Sequence, residues 1–442
     1  MKKGRRSTVL ILLLALGLMG WMSVDRTSRV ADADTTSQYQ DLQLFTDVLS
    51  IVRRDYVEEV PMKKLIYGAI NGMLASLDPH SSFMPPDMYK EMKIDTRGEF
   101  GGLGIEITIR NGLLTVVSPI EDTPAYRVGI KAGDRILKIE NRYTKDMTIM
   151  DAVKMMRGPA GSKVTITVMR DSFDKPKDFT ITRENIKIKS IKYRTLEDGY
   201  GYVRITQFQE HSAGDLEKAL NKLHTENGGK LKGLILDLRN NPGGLLEQAA
   251  KVADTFLSKG LIVYTEGREK SSQMSFSAHQ KGTEPSYPMV VLINGGSASA
   301  SEIVAGALQD HKRAILLGTQ SFGKGSVQTI IPLSDDSGLR LTTARYFTPN
   351  GTSIQARGIT PDIVVHPMEV KEIKESEHLR EKDLRHHFAT EPPAEEPAPR
   401  VKEQEHPKFK LDQATRQDYQ LMRALDLLQG LQIFQQLEHK AA

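Results

Sequence analysis

Three segments in the second half of this 442-residue sequence contain residue types that could act together in nucleophilic catalysis. The first, residues 295–302, is Gly-Gly-Ser-Ala-Ser-Ala-Ser-Glu and joins an apolar strand to a predicted helix. A serine at a helix start lies where backbone N–H groups point outward and where the helix dipole favours an anion. Ser299 with Glu302 fits an N-terminal capping box equally well, and such a box has no chemical role. Both interpretations stand for this segment taken alone.

The second segment, residues 319–328, places Lys324 between two glycines just after another apolar strand. Burial disfavours the ammonium form of a lysine, and a neutral amine can take the proton of a serine hydroxyl. A solvated lysine in a turn is the simpler interpretation of this segment alone. The third segment, residues 236–244, ends in Asn-Asn-Pro-Gly-Gly, whose glycine N–H groups could donate to an oxyanion or merely form a turn.

Several other kinds of chemistry are excluded by what the sequence lacks. It contains no cysteine, which rules out disulfides, cysteine-bound metals and a cysteine nucleophile. No Gly-x-Ser-x-Gly, His-Glu-x-x-His or P-loop motif is present, and none of the eleven histidines lies in a recognisable serine–histidine setting. We therefore expect neither a metal nor a cofactor. The net charge of +4 gives no reason to expect a nucleic acid as partner.

An alternation of strands and helices over residues 184–368 must position the three segments. Apolar runs predict strands, and apolar residues at helical spacing predict helices between them. The predicted strands are 201–208, 231–238, 289–293, 314–317 and 339–347, and the predicted helices are 213–223, 245–256 and 299–309. Such an alternation is typical of an α/β fold with a parallel sheet.

A smaller β-rich module precedes this region, over residues 97–183. Its Gly-Gly-Leu-Gly-Ile segment, which begins at Gly101, leads into an alternating strand. Glycines let backbone N–H groups converge on a carboxylate, and a strand edge can pair with an extended peptide, although a simple turn is the alternative. Further short strands are predicted at 114–117, 135–139 and 164–169, with one helix at 150–156.

The order of short motifs in this module resembles a PDZ domain over its whole length. These motifs are Ser118-Pro119, Thr123-Pro124-Ala125, Gly133-Asp134-Arg135-Ile136-Leu137, Met150-Asp151-Ala152-Val153 and Arg157-Gly158-Pro159. The resemblance implies that Leu103, Gly104 and Ile105 bind the C-terminus of a peptide chain. It also implies that Ile107 and Val153 line the pocket for the last side chain.

The three segments of the α/β region, in this order, resemble the bacterial carboxyl-terminal processing proteases. The resemblance covers residues 40–366 and implies a multidomain α/β and β protein, in which a PDZ-like domain is inserted before a crotonase-like α/β peptidase core. Helical arms would flank this core at both ends. The implied function is that of a serine endopeptidase that cleaves proteins near their C-termini, without metal or cofactor. A non-catalytic PDZ adaptor and an acyl-CoA enzyme of the crotonase type are the alternatives.

Matching the family motifs residue by residue assigns the catalytic roles. The nucleophile falls on Ser299, the general base on Lys324 and the residue that orients this base on Gln328. Spacing alone would not choose Ser299 over its two neighbouring serines. The resemblance also implies an oxyanion hole, formed by the backbone N–H groups of Ala300 and of either Gly243 or Gly244. Arg157 matches a family position that can couple peptide binding to the active site, although an exposed arginine at a helix end is an equally good interpretation.

The two ends of the chain suggest export and self-association. Residues 1–33 combine a basic start, sixteen uncharged residues from Val9 to Val24 and a small-x-small pattern at 31–33, as in a signal peptide or an uncleaved membrane anchor. We therefore expect a location in the bacterial periplasm or cell envelope. Residues 34–96 are predicted as a helical arm, 369–410 as a polar linker and 411–442 as a C-terminal helix, which must pack on its own chain or on another.

The expected partners follow from these predictions. Substrates would be polypeptides with free C-termini, delivered with or without an adaptor protein. The two helical ends favour a homo-oligomer, with a dimer as its simplest form. If the N-terminal segment is not removed, the membrane is a further partner.

Overall fold

The computed structural model describes residues 39–145, 147–197, 199–269, 273–369 and 411–441. The predicted export segment and all but the first residue of the predicted polar linker lie outside these residues. The chain divides into two compact units, Met1–Phe83 and Met84–Ala442. Within the described part, no helix is both long enough and apolar enough to cross a membrane.

The first unit contains two helices within the predicted helical arm. Helix α1 covers residues 39–55 and helix α2 covers Met62–Ala75, preceded by Pro61. Strand β1, Ser82–Met84, lies at the boundary between the two units. The large apolar side chains of α1 lie largely in solvent, among them Leu42, Leu44, Phe45 and Val48.

The second unit begins with helix α3, Pro86–Arg97, and continues into the β-rich module. The module's strands and helices are β2 (Glu99–Gly102), β3 (Ile105–Arg110), β4 (Leu113–Pro119), α4 (Pro124–Arg127), β5 (Arg135–Ile139), β6 (Arg142–Tyr143), α5 (Ile149–Met156), β7 (Lys163–Met169), β8 (Lys177–Thr182) and β9 (Glu184–Lys187). Its main sheet has the order β3-β4-β5-β7-β8, with β6 paired to β5, while β2 and β9 form a separate ribbon. The β3–β4 hairpin turns at Asn111-Gly112, both at positive φ, as a type I′ turn requires.

The α/β core is built on a six-stranded sheet in the order β10-β11-β12-β15-β16-β19. Within this sheet, neighbouring strands from β11 through β12, β15 and β16 to β19 run parallel, whereas β10 is antiparallel to β11. The strands are β10 (Ile191–Glu197), β11 (Tyr200–Ile205), β12 (Gly233–Asp237), β15 (Met289–Ile293), β16 (Ile315–Gly318) and β19 (Ile363–Val364). Helices α6 (Ser212–Glu226), α7 (Leu246–Asp254) and α8 (Ala300–Asp310) pack on one face, against residues such as Leu234 and Leu236.

A second sheet of the core has the strand order β14-β13-β18-β17, all antiparallel. Its strands are β13 (Leu261–Gly267), β14 (Ser275–Ser277), β17 (Ser326–Pro332) and β18 (Gly338–Phe347). Only β18 matches a predicted strand. Strand β17 was not predicted because it follows directly on the glycine-rich Lys324 segment and is half-exposed, so it lacks the apolar run of a buried strand.

The C-terminal helix packs against the sheet of its own chain, which settles the alternative left open by its sequence. Helix α9 covers Gln413–Gln417 and helix α10 covers Tyr419–Ala441. In α10 the buried side chains are Leu421, Ala424, Leu425 and Leu428, and they meet the other face of the six-stranded sheet. Because both faces are covered, the central strands are continuously apolar rather than alternating.

Candidate active site

The three segments singled out in the sequence meet at one edge of the six-stranded sheet. Strands β12, β15 and β16 are parallel neighbours, and the three segments follow their C-terminal ends. Loops that follow adjacent parallel strands lie at the same edge of a sheet, where α/β proteins place their sites. The fold therefore brings together segments whose candidate residues, from Gly243 to Gln328, are up to 85 positions apart in the sequence.

Ser299 lies on a strained turn between strand β15 and helix α8. It has φ 57° and ψ −114°, a conformation that residues with a side chain rarely adopt. This is the strand–turn–helix position of a nucleophile elbow, although the Gly-x-Ser-x-Gly pattern is missing. The absence of that motif from the sequence therefore does not exclude the geometry.

Ser299 differs from its two neighbouring serines in exposure and bonding. Ser297 is buried, and its hydroxyl donates to the carbonyl of Leu238 at 2.8 Å. Ser301 is also buried, and its hydroxyl donates to the carbonyl of Asn241 at 2.6 Å. Ser299 is partly exposed. The two flanking hydroxyls thus hold the turn to the preceding loop, and the middle one faces the accessible edge.

The buried Glu302 carboxylate joins the serine turn to the lysine loop. One of its oxygens, Oε2, accepts the backbone N–H of Ser299 at 2.7 Å and that of Lys324 at 2.9 Å. The other, Oε1, accepts the Ser321 hydroxyl at 2.6 Å and the Gly323 N–H at 2.7 Å. Burial raises the pKa of Glu302 above that of an ordinary glutamate, against the opposing effect of these four hydrogen bonds. Glu302 is more than a helix cap.

Lys324 and Tyr346 complete the surroundings of Ser299. Lys324 is half-buried in the loop between β16 and β17. The Tyr346 hydroxyl, carried by β18, donates to the Lys324 carbonyl and also shares a hydrogen bond with the Ser299 side chain. Tyr346 is almost fully buried, and this burial raises its pKa. Nothing in the sequence singled out Tyr346, which is one of two adjacent aromatic residues at the end of a predicted strand.

Gln328 lies on β17, four residues beyond Lys324. Its side-chain amide donates to the Ser326 hydroxyl at 2.9 Å and, at a longer 3.5 Å, to Thr342. These bonds hold the amide on the β17–β18 hairpin. The predicted role of Gln328 in orienting Lys324 stays a prediction.

The two candidate oxyanion glycines have different surroundings. At Gly243 a Cβ atom would lie 2.8 Å from the Ser299 Cβ and 3.0 Å from the Ala300 nitrogen, so this glycine packs directly against the serine turn. Its own N–H donates to the Asn241 side chain at 2.9 Å. At Gly244 a Cβ would lie 2.1 Å from the Phe208 carbonyl oxygen. Ala300 is the first residue of α8, where an N–H has no partner within the helix. The choice between the two glycines stays open.

The predicted peptide-binding residues surround one small cavity in the β-rich module. The cavity has a volume of about 70 Å³. Its lining includes all five residues predicted from the PDZ resemblance, namely Leu103, Gly104, Ile105, Ile107 and Val153. Phe100, Gly102, Met156 and Arg157 also line it. At Gly104 the φ angle is +77° and a Cβ would collide with Thr123, so this loop conformation requires glycine.

Arg157 connects this cavity to helix α3. Its guanidinium lies 4.4 Å above the centre of the Phe100 ring and forms an ion pair with Glu91, and both charged side chains are largely buried. One turn earlier, Lys154 pairs with Asp87 at 2.7 Å. Arg157 is therefore not a solvated arginine at a helix end. Among the residues that the structure describes, no group of three or more His, Asp or Glu side chains could hold a metal ion.

Similar sequences and structures cover most of the chain. Residues 199–365 match peptidase family S41, residues 115–170 match the PDZ domain and residues 17–88 match the N-terminal domain of the activating protease CtpB. The chain is 54% identical over 352 residues to the carboxy-terminal-processing protease of Bartonella bacilliformis, a match that covers 79% of this chain and 81% of that protein. It is 37% identical over 324 residues to the carboxyl-terminal-processing protease of a Synechocystis species, with 71% and 74% covered.

Among solved structures, the photosystem II D1 C-terminal processing protease is 31% identical, with a TM-score of 0.43. That match covers 73% of this chain and 92% of the other. The S41 match falls on the α/β core and the PDZ match falls within the β-rich module.

Replacing Glu302 should disable Ser299 without unfolding the chain. In Glu302→Gln an NH₂ group replaces one acceptor oxygen and faces donors, so the serine turn and the lysine loop lose their common anchor. With Ser299 as the nucleophile that the family motif implies, we expect the burst of nitrophenol released from p-nitrophenyl acetate to slow by about 100-fold, as for loss of a key polar contact in an active site. Asp310→Asn is the matched control, because Asp310 ends the same helix and bonds only the Asn350 N–H in a loop away from the site. Equal burst rates in Glu302→Gln and the wild type would contradict this role.

Proposed function

Because the chain belongs to the carboxyl-terminal processing proteases of peptidase family S41, we propose that it hydrolyses peptide bonds near the C-termini of proteins with Ser299 and Lys324 as catalytic pair. Family membership makes it a serine peptidase with a PDZ domain, as the sequence motifs predicted. The predicted fold class, a PDZ-like domain before an α/β peptidase core, is likewise confirmed. The observation that carries the proposal is the Glu302 oxygen that accepts the backbone N–H groups of both Ser299 and Lys324.

The proposed reaction begins with proton transfer from Ser299 to a neutral Lys324. The Ser299 oxygen attacks the peptide carbonyl carbon, and a tetrahedral intermediate forms with its negative charge on the former carbonyl oxygen. The N–H groups of Ala300 and of Gly243 or Gly244 would stabilise this oxyanion, and one such donor is typically worth about 3–4 kcal/mol. Lys324 then gives the proton to the leaving amine. A water molecule, activated by the same lysine, hydrolyses the acyl-enzyme.

Two further residues are proposed to orient the catalytic pair. Tyr346 accepts a hydrogen bond from the Ser299 hydroxyl and donates one to the Lys324 carbonyl, so it restrains both residues. Gln328 is assigned to Lys324 by the family motif, and its amide plane is held by Ser326 and Thr342. The side-chain oxygen of Gln328 is the atom that could accept a hydrogen bond from the lysine ammonium.

The PDZ domain is proposed to bind the free C-terminus of the substrate. The backbone N–H groups of Leu103, Gly104 and Ile105 would receive the carboxylate, and strand β3 would pair with the extended chain. The cavity beside them is only about 70 Å³, so Ile107 and Val153 leave room for a short apolar last residue. Substrates would therefore be proteins with short apolar C-terminal residues.

Arg157 is proposed to couple this binding event to the active site. Its partner Glu91 lies on helix α3, and another α3 residue, Tyr89, packs against Gly338, where a Cβ would lie 2.6 Å from the ring. Gly338 begins strand β18, which carries Tyr346 to Ser299. A carboxylate that enters the cavity would compete with Glu91 for Arg157 and so disturb α3 and β18.

The remaining predictions concern the whole protein. We propose that residues 1–33 export the chain to the bacterial periplasm or cell envelope, as a cleaved signal or as an anchor. We propose that the rest of the chain divides into a helical arm, a PDZ domain, a peptidase core, a polar linker and a C-terminal helix, with limits 34–96, 97–183, 184–368, 369–410 and 411–442. The exposed apolar side chains of α1 support self-association, with a dimer as the simplest form. Cleavage assays with the isolated protein distinguish an enzyme that needs an adaptor protein from one that does not.

Substituting either member of the catalytic pair should abolish proteolysis. Ser299→Ala removes the nucleophile, and Lys324→Arg keeps a cation that cannot lose its proton near neutral pH. We expect cleavage of an unstructured polypeptide to fall at least about 10³-fold in both variants, since residues that act as a unit each cost nearly the full effect. Ser258→Ala, at an exposed position of the same core, is the matched control and should remain active. Fragments produced by either Ser299→Ala or Lys324→Arg at the wild-type rate would refute the pair, and the adaptor and acyl-CoA alternatives predict no fragments from the wild type.

Filling the cavity in the PDZ domain should weaken substrate binding. Val153→Trp would occupy the space for the last side chain, so we expect KM for a polypeptide ending in alanine to rise about tenfold while kcat changes little. Val128→Trp, at an exposed position of the same domain, is the control and should leave KM unchanged. An unaltered KM in Val153→Trp would mean that the substrate C-terminus binds elsewhere.

Removing Arg157 should uncouple activity from the substrate carboxylate. The wild type should cleave a peptide with a free C-terminus about tenfold faster than the same peptide with a C-terminal amide, because only the carboxylate competes for Arg157. In Arg157→Ala the two peptides, each at saturating concentration, should be cleaved at similar rates, since the N–H groups of Leu103, Gly104 and Ile105 then affect KM alone. Arg127→Ala removes an exposed ion pair with Glu184 in the same domain and should keep the wild-type ratio. A wild-type ratio in Arg157→Ala would reject the coupling.

A further inference from the structure

Arg239 directly precedes residues 240–244, here called the oxyanion loop because it contains Gly243 and Gly244. The Arg239 guanidinium lies in a buried polar cluster. Asp237, at the end of β12, accepts its Nε–H at 3.0 Å and an Nη2–H at 2.8 Å. Asp418 receives two further bonds in bidentate geometry, at 2.9 and 2.7 Å, and Gln420 receives one at 3.0 Å. All five donors of the guanidinium are thus used. Asp237 in turn accepts the Tyr202 hydroxyl at 2.8 Å.

Two of the three acceptor residues come from a distant part of the chain. Asp418 and Gln420 lie at the start of the C-terminal helix α10, about 180 positions after Arg239. Asp418 also accepts the Leu421 N–H at 3.1 Å and so caps this helix. The neighbouring Arg239 guanidinium lowers the pKa of Asp418 although burial opposes this shift. The N-terminal end of α10 is therefore held by the residue that precedes the oxyanion loop.

The loop that follows Arg239 reaches the serine turn through a short series of hydrogen bonds. Asn240, at φ 56°, exchanges two bonds with Asn294, at 2.9 and 3.0 Å. The Asn241 carbonyl accepts the Ala298 N–H at 2.9 Å, and its side chain accepts the Gly243 N–H. A shift of the Arg239 backbone would consequently move both the glycine donors and the turn that carries Ser299.

We propose that Asp418 is a positioning residue of the active site, which acts through Arg239 to hold the oxyanion loop. The proposal rests on the proposed function, since it assigns residues 243–244 to the oxyanion hole. Asp237 alone orients one side of the guanidinium, and Asp418 fixes the other side. Docking of the C-terminal helix therefore does more than cover the sheet: it completes the support of the loop that stabilises the transition state. Loss of Asp418 should weaken binding of the oxyanion more than binding of the substrate chain.

The test compares Asp418→Asn with a matched variant, Asp412→Asn. Asp412 also ties the C-terminal segment to the core, through Arg194 on β10 at 3.0 Å, but this pair does not contact the oxyanion loop. For Asp418→Asn we expect kcat on an unstructured polypeptide to fall about tenfold with KM within about twofold of the wild type. Affinity for a peptide aldehyde should fall by a similar factor, because its oxygen occupies the oxyanion hole once the Ser299 oxygen has added to its carbon. Asp412→Asn should change neither quantity by more than about twofold.

The outcomes separate this proposal from the proposed function. Wild-type protein that yields no fragments overturns the proposed function itself. Wild-type cleavage together with an unchanged kcat in Asp418→Asn, or with equal losses in both variants, overturns the positioning role and leaves the peptidase intact. If Asp418→Asn fails to fold, Gln420→Leu removes one acceptor of the guanidinium together with the bond from the Gln420 amide to the Val365 carbonyl, and it should lower kcat and aldehyde affinity about threefold in parallel. Unchanged values in that variant would equally overturn the role.

Discussion

The active site depends above all on one buried carboxylate, that of Glu302. Parallel strands bring the serine turn and the lysine loop to the same edge of the sheet, but loops that merely share an edge have no fixed spacing. Glu302 supplies that spacing because its two oxygens accept four donors, three of them backbone N–H groups from both segments. A buried charge is costly unless it is fully bonded, and here the bonds that offset this cost are the ones that place Ser299 and Lys324, the proposed catalytic pair.

The rest of the core is organised so that this edge stays rigid. The central sheet is covered by α6, α7 and α8 on one face and by α10 on the other, which explains why its strands are apolar throughout. The flanking serines, Ser297 and Ser301, hold the serine turn to the loop after β12. Arg239 ties that loop to α10. Each of the three segments at this edge is therefore held by a buried polar side chain rather than by apolar packing alone.

The PDZ domain and the peptidase core both contact helix α3. The cavity of the PDZ domain contacts Arg157, which pairs with Glu91 on α3, and Tyr89 of the same helix packs on the start of β18. Lys154 and Asp87 form a second, exposed ion pair beside it, which contributes less to stability than the largely buried Arg157–Glu91 pair. Asp87, Tyr89 and Glu91 all lie in the first two turns of α3, so a ligand that competes for one of these contacts acts on the same end of the helix that packs on β18.

Local features of the sequence determined the elements and the chemistry. Apolar runs located β12, β15 and β16, helical spacing located α7 and α8, and the serine, lysine and glycine motifs indicated the family and its reaction, because these signals are each contained within a few neighbouring residues. Only the tertiary structure decided that Glu302 bonds the lysine loop, that Tyr346 meets Ser299, that Arg157 pairs with Glu91 and that α10 packs on its own sheet. These contacts join residues from 22 to about 180 positions apart. No local pattern encodes such pairs, since they exist only once the strands have been ordered in the sheet.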